Sequence, residues 1–207
     1  MWNDTNKILG IIGGMGPLAT QLFYQKMIDM TKAERDQDHI DMLLINHASM
    51  PDRTQAIASG NTEILYELLK KDAKWLADNQ VCAIAIPCNT SHYFVDRLQK
   101  EVDVPIIHMI RETVDLIRQN SPDVQRVGLL ATDGTLNAGL YQGSFKAAGI
   151  EVVVPSIDTQ KLVMKIIYSG IKGGKEIDYN DFIKIKAELA SHGCQKAIMA
   201  CTELSCF

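Results

Sequence analysis

Several absences narrow what this chain can do. There is no surplus of cations: 21 Lys and Arg stand against 25 Asp and Glu, a formal net charge of −4, and no basic stretch stands out. Nucleic acid is held through clustered cations, so it is not an expected partner. An acidic small molecule remains open, because one or two local cations can hold a carboxylate. No apolar run approaches the ~20 residues that a bilayer-spanning helix needs, so no membrane partner is expected either. Residues 1–6 carry neither the basic region nor the apolar core of a secretory leader. The five cysteines are odd in number and form no Cys-x-x-Cys pair. That argues against a disulfide framework or a zinc knuckle and for a reducing compartment, the cytoplasm; no metal site is expected. What remains, 46% apolar and 22% charged residues over 207 positions, is an ordinary globular composition with enough chain for one large domain or two small ones.

The chain is organised around Ala83-Ile84-Ala85-Ile86-Pro87-Cys88-Asn89-Thr90-Ser91-His92. It begins as an apolar run of strand length. Pro87 cannot donate to a sheet ladder and suits the last strand position. Asn89, Thr90 and Ser91 are helix-start residues. A thiol between them sits among free N–H groups at the positive end of a helix dipole, which lowers its pKa and favours an anion. The bland alternative is a buried core thiol. A second copy follows 113 residues later, Lys196-Ala197-Ile198-Met199-Ala200-Cys201-Thr202-Glu203, again an apolar run, a Cys and a hydroxyl residue.

The repeat extends upstream. Residues 7–13 read as a buried strand, followed by Gly13-Gly14-Met15-Gly16-Pro17 and a helix over about 18–31. The glycine turn lacks the G-x-G-x-x-G and G-x-x-x-x-G-K-[ST] spacings of nucleotide sites. It reads as the wall of a small-anion pocket or as a tight turn with close helix packing. Residues 126–136 resemble 8–18 at an offset of 118, so one repeat with a five-residue loop difference accounts for both matches. Strands are expected over 41–46, 83–86, 102–108, 151–155 and before Cys201. Helices are expected over 61–79 (Ile64, Leu65, Leu68, Leu69, Ala73 and Leu76 on one side), 91–100, 111–119, 159–171 and 178–192, with 170–174 a loop. Alternating strands and helices predict an α/β fold. The repeat makes it two similar pseudo-symmetric lobes, each a parallel sheet flanked by helices, with the active site in the cleft between them. The N-terminal lobe, 1–103, carries Cys88 and the C-terminal lobe, 104–207, carries Cys201. Arg53, beyond the second strand, is surface decoration or a carboxylate clamp, since its planar fork matches a carboxylate. Cys82 and Cys194 read as structural and Cys206 as exposed. His92, four residues past Cys88, either tunes the thiol or caps and packs.

Two lobes related by an approximate two-fold place their strand-end thiols across one cleft. A substrate carbon between them meets sulfur on both faces, which is what inverting a stereocentre requires. One cysteine, as thiolate, removes a proton; the other, as thiol, supplies one from the opposite side. N–H groups after Cys88 and Cys201 are placed to hold the carbanion's charge. This scheme needs no cofactor.

The pieces Ile12-Gly13-Gly14-Met15-Gly16-Pro17, Pro51-Asp52-Arg53-Thr54, Cys88-Asn89-Thr90-Ser91-His92, Ala131-Thr132-Asp133-Gly134-Thr135 and Cys201-Thr202-Glu203-Leu204 run in order along nearly the whole chain. In them the chain resembles the aspartate/glutamate racemase family, PLP-independent enzymes that use two cysteines, and among these it is nearest to aspartate racemases. The resemblance implies that Cys88 and Cys201 are the acid/base pair. It also implies that Met15, Asn89, Thr90, Thr135, Thr202 and Glu203 surround the α-carboxylate and amine, and that Arg53 and Lys172 hold the distal carboxylate of a small acidic amino acid. A homodimer is expected on the same ground. Family members continue past the second cysteine motif into a final helix that this sequence does not contain, so a poorly positioned Cys201 and reduced activity are expected. The alternatives are a catalytically silent amino-acid or dicarboxylate-binding relative, or another racemase, decarboxylase or isomerase on the same scaffold.

Overall fold

A computed structural model describes residues 8–206; Lys7 and Phe207 lie outside them. The first sheet begins with β1 (Leu9–Gly13), buried at every residue, as expected of a central parallel strand covered on both faces. Pro17 opens α1 (Pro17–Met30), where its missing N–H costs nothing. After β2 (Met42–Asn46), Asp52 caps α2 (Arg53–Ser59) by accepting the Gln55 N–H at 2.8 Å, and Gly60 ends it at φ +72°. The long α3 (Glu63–Asp78) then leads into β3 (Ala83–Ala85). β2 and β3 both run parallel to β1, in the order β2-β1-β3.

The second sheet repeats this plan. β4 (Arg126–Ala131), β5 (Glu151–Val153) and β6 (Lys196–Ala200) pair in parallel in the order β5-β4-β6. Their connections carry α6 (Asp133–Asn137), α7 (Gln142–Ala147), α8 (Ile157–Met164) and α9 (Tyr179–Ser191). Thus each sheet has its first strand at the centre and, beside it, the third strand that leads to the cysteine, and the fold is α/β with two like parallel sheets. Ile12, Leu65, Leu69, Ile84 and Phe94 share the first core. Val127, Leu129, Tyr141 and Phe145 share a second one, together with Ile110 and Val114 of α5 (Met109–Asn120). Among the described residues no helix is long and apolar enough to cross a membrane.

The differences from expectation have local causes. The strand expected over 102–108 is a single bridge between Ile84 and Ile106, because Pro105 has no N–H to extend a ladder. β3 ends at Ala85, two residues before Pro87. The helix after Cys88 is a 3-10 segment, Thr90–Phe94, followed by the single turn α4 (Val95–Leu98). Residues expected to loop at 170–172 instead complete a π-helix, Lys165–Lys172, with Ile166, Ile167 and Gly170 buried; a Cβ at Gly170 would come within 2.6 Å of Ile177. Ile64 is 61% exposed, because it sits at the rim of the apolar stripe that buries Leu65 and Leu69. Cys82 precedes the strand and is exposed, and Cys206 is half-buried rather than exposed.

Candidate active site

The C-terminal ends of the two sheets face one another, the place where open α/β sheets bind ligands. Cys201 follows directly on β6, and Cys88 lies just past β3. Both thiols are buried, and both line one narrow cleft. The displaced Cys201 expected from the sequence is not found. The segment after it, the 3-10 turn Thr202–Cys206, packs on α1 of the other lobe, and the Thr202 hydroxyl donates to the Pro87 carbonyl at 3.2 Å.

The lowered pKa expected at the Cys88 strand end is not matched at its counterpart, Cys201. Its thiol donates to Glu203 Oε2 at 2.9 Å. Burial first, and the Glu203 charge second, raise it well above the ordinary thiol range, with Lys172 opposing. A five-residue 3-10 turn aligns too few peptide dipoles to offset a carboxylate in contact. The other Glu203 oxygen accepts the Gly16 N–H at 3.1 Å and lies 3.6 Å from Lys172 Nζ. Of the two readings of the glycine turn, the tight turn with close packing is the one seen. It is packed tightly, since a Cβ on Gly14 (φ +89°) would lie 2.5 Å from the His47 backbone. Its Gly16 N–H is taken by the Glu203 side chain.

The remaining expected residues fall into three groups. Met15, Asn89, Thr90, Thr202, Glu203, Arg53 and Lys172 line the cleft. Thr135 does not line it. Its hydroxyl is fully buried behind the wall, 2.9 Å from that of Thr90 and 3.2 Å from that of Thr132, because Thr132 caps α6 through the Thr135 N–H and draws the side chain inward. Arg53 is buried rather than decorative, but its fork is already engaged. Nη1 donates to the Pro51 carbonyl at 3.0 Å and Nη2 to the Met15 carbonyl at 3.1 Å. Asn89, expected as a cap, makes no side-chain cap. His92 resolves to packing. Nδ1 donates to the Cys88 carbonyl at 2.9 Å and Nε2 accepts the Met109 N–H at 3.1 Å, so it holds the cysteine's backbone rather than its thiol. Burial keeps its pKa down at about 4.

Four lining residues were missed: Asp52, Thr54, Thr132 and Tyr168. Asp52, Thr54 and Thr132 lie inside motifs already singled out. Tyr168 was legible only with the helix in hand, one turn before Lys172, whose ammonium lies 4.7 Å from its ring centre. The Tyr168 hydroxyl, pushed up to about 12 by burial, donates to Asp52 Oδ2 at 3.1 Å and ties the lobes across the cleft mouth.

The family described as Asp/Glu/Hydantoin racemase matches residues 12–207. The broad specificity amino-acid racemase RacX of Bacillus subtilis (strain 168) is 28% identical over 96% of this chain and 86% of its own. Among solved structures, an aspartate racemase of Picrophilus torridus superposes with a TM-score of 0.81 and 32% identity, covering 97% of this chain and 83% of that one. A Francisella tularensis glutamate racemase solved with D-glutamate shares the fold, with a TM-score of 0.68 and 23% identity over 98% of this chain and 71% of that one.

Proposed function

The chain belongs to the Asp/Glu/hydantoin racemase family, a family of isomerases, and from that premise we propose that it racemizes an acidic amino acid, aspartate before glutamate, by carrying protons to and from Cα on two thiols. The observation that supports this reading is the placement of Cys88 and Cys201, each beyond the third strand of its own sheet, in the wall of one cleft.

In the direction that uses the resting state of Cys201, the Cys88 thiolate takes the α-proton. An S–H bond forms as the C–H bond breaks, and the electron pair spreads into the α-carboxylate. The Cys201 thiol delivers its proton to the opposite face and is left as a thiolate beside Glu203. The charge on the protein is unchanged; it has moved from one sulfur to the other. The Asn89 amide and the backbone N–H groups of Thr90 and Thr202 are the donors assigned to the α-carboxylate, where charge develops, since the Thr202 O–H is already given to Pro87. Glu203 faces the amine and Lys172 the distal carboxylate. No step calls for a cofactor. Lobes bounded near 1–103 and 104–207, a homodimer and a cytoplasmic setting complete the reading.

A broader substrate range is the second reading, and Arg53 favours it. With three of its five N–H donors given to backbone carbonyls, it makes a weaker clamp for a second carboxylate. A chiral assay over a panel of L- and D-amino acids, with α-proton exchange in D₂O, tests both. Racemization confined to acidic side chains supports the first reading, and turnover of neutral ones supports the second. Binding of L-aspartate without exchange would replace both with a silent binding protein. Cys88→Ala is expected to remove racemization and leave binding within a few-fold; normal turnover by this variant refutes the assignment.

A further inference from the structure

One buried phenol reaches the cleft wall from the opposite lobe. Tyr141 is 1% exposed, and its ring stacks on Phe145 in the second core, the centres 6.2 Å apart. Its hydroxyl crosses to the first lobe and donates to Asn89 Oδ1, a contact between two buried groups. Burial raises the phenol's pKa, so it stays protonated and available as a donor. Asn89 is the residue after Cys88. It is 3% exposed and lines the cleft, and its Nδ2 has no hydrogen-bond partner among the described residues.

An asparagine amide has one acceptor end and one donor end. Unrestrained, it can turn either end to a ligand, and the oxygen would repel a carboxylate. A phenol is a better donor than acceptor, so a fixed Tyr O–H selects the orientation in which Oδ1 points away from the ligand. The two Nδ2 protons are then left for the cleft. We infer that Tyr141 is a positioning residue for the racemization reaction: it locks the Asn89 amide with its NH₂ group toward the substrate carboxylate, and so couples the core of one lobe to the cysteine loop of the other. This rests on the functional reading above. It adds a residue that does not itself line the cleft and that neither the motifs nor the repeat pointed to.

Tyr141→Phe removes the hydroxyl alone and keeps the stack on Phe145. It is expected to lower kcat/KM for aspartate about 10-fold, the order of loss when a buried acceptor loses its donor. The discriminating measurement is a double-mutant cycle with Asn89→Ala, followed by α-proton exchange in D₂O. In the N89A background, Y141F is expected to change kcat/KM by less than about 2-fold, because the group it positions is gone. A purely structural tyrosine would carry the same loss into both backgrounds, and that result overturns the inference, as does a Y141F enzyme with the parent rate. Should N89A leave no measurable rate, the same cycle is run on dissociation constants for succinate, which needs no turnover and has the same two expected outcomes. If the parent protein exchanges no α-proton with either enantiomer, the functional reading falls and takes this inference with it. That failure is distinguishable, because it occurs before Tyr141 is varied.

Discussion

Replacing Gly134 with alanine is expected to press the two lobes apart. Gly134 lies in α6 of the second lobe, and a Cβ built there would sit 2.7 Å from Thr54 Cα in α2 of the first, a backbone atom that cannot rotate away. An ordinary carbon contact begins near 3.4 Å, so α2 and α6 must separate by about 0.7 Å. Overpacking of this kind costs ~1–3 kcal/mol. Alanine in place of glycine within a helix returns up to ~1 kcal/mol, which leaves a net loss of ~0–3 kcal/mol. For a chain of this size the upper end is a fall of several degrees or more in melting temperature. The effect on chemistry is larger than the effect on stability. Thr54 and Thr132 line the cleft on the two sides of this contact, and a misplacement of about 1 Å between reacting groups can cost ~10²-fold in rate. Exchange of the aspartate α-proton in D₂O, with thermal unfolding measured on the same sample, reads both quantities. Gly143→Ala is the control. It is in α7 with nothing within 4 Å of its would-be Cβ, and should leave the rate unchanged while raising stability by up to ~1 kcal/mol. A G134A protein with the parent rate would show that the lobes do not need this approach, and the reasoning would fail.

Further outcomes follow from the thiols and the buried histidine. Removing the charge at Glu203 with Glu203→Gln lets the Cys201 thiol fall part of the way toward its ordinary range, since burial, the larger cause, stays. In the pH–rate profiles of the two enantiomers, the one that Cys201 must deprotonate is expected to rise at lower pH in E203Q; an unmoved limb counts against the pairing. His92 has a folded-state pKa of about 4, below its ordinary 6.5. The unfolded chain therefore takes up the proton first as pH falls, and stability is lost from about 6.5 down through about 4, with a ceiling on the order of 3 kcal/mol. Urea midpoints at pH 7.5 and 4.5 should diverge in the parent protein and less so in His92→Gln, which has no such proton to accept; equal divergence in both refutes it.

The alternation of strands and helices, the parallel sheets and their duplication could be read from residues alone, whereas the short helices α2, α6 and α7 could not, and the strand expected over 102–108 did not form. What was legible rests on periodicity, on turn chemistry and on one motif recurring at a fixed distance, all of them local properties of the chain. The same is true of Cys88 and Cys201, which are marked by what stands just before and after them. Charge environment is another matter. That Cys201 faces the carboxylate of Glu203, that Arg53 spends its donors on backbone carbonyls, and that Thr135 lies behind the wall rather than in it depend on side-chain directions near the ends of separate strands. Tyr141 and Asn89, or Tyr168 and Asp52, are far apart in the chain and meet only because two lobes close on one another. A one-dimensional pattern records which groups are available. Burial and the approach of distant segments set their protonation, their partners and their roles, because electrostatics and hydrogen bonding act over a few ångströms of space rather than over a count of residues.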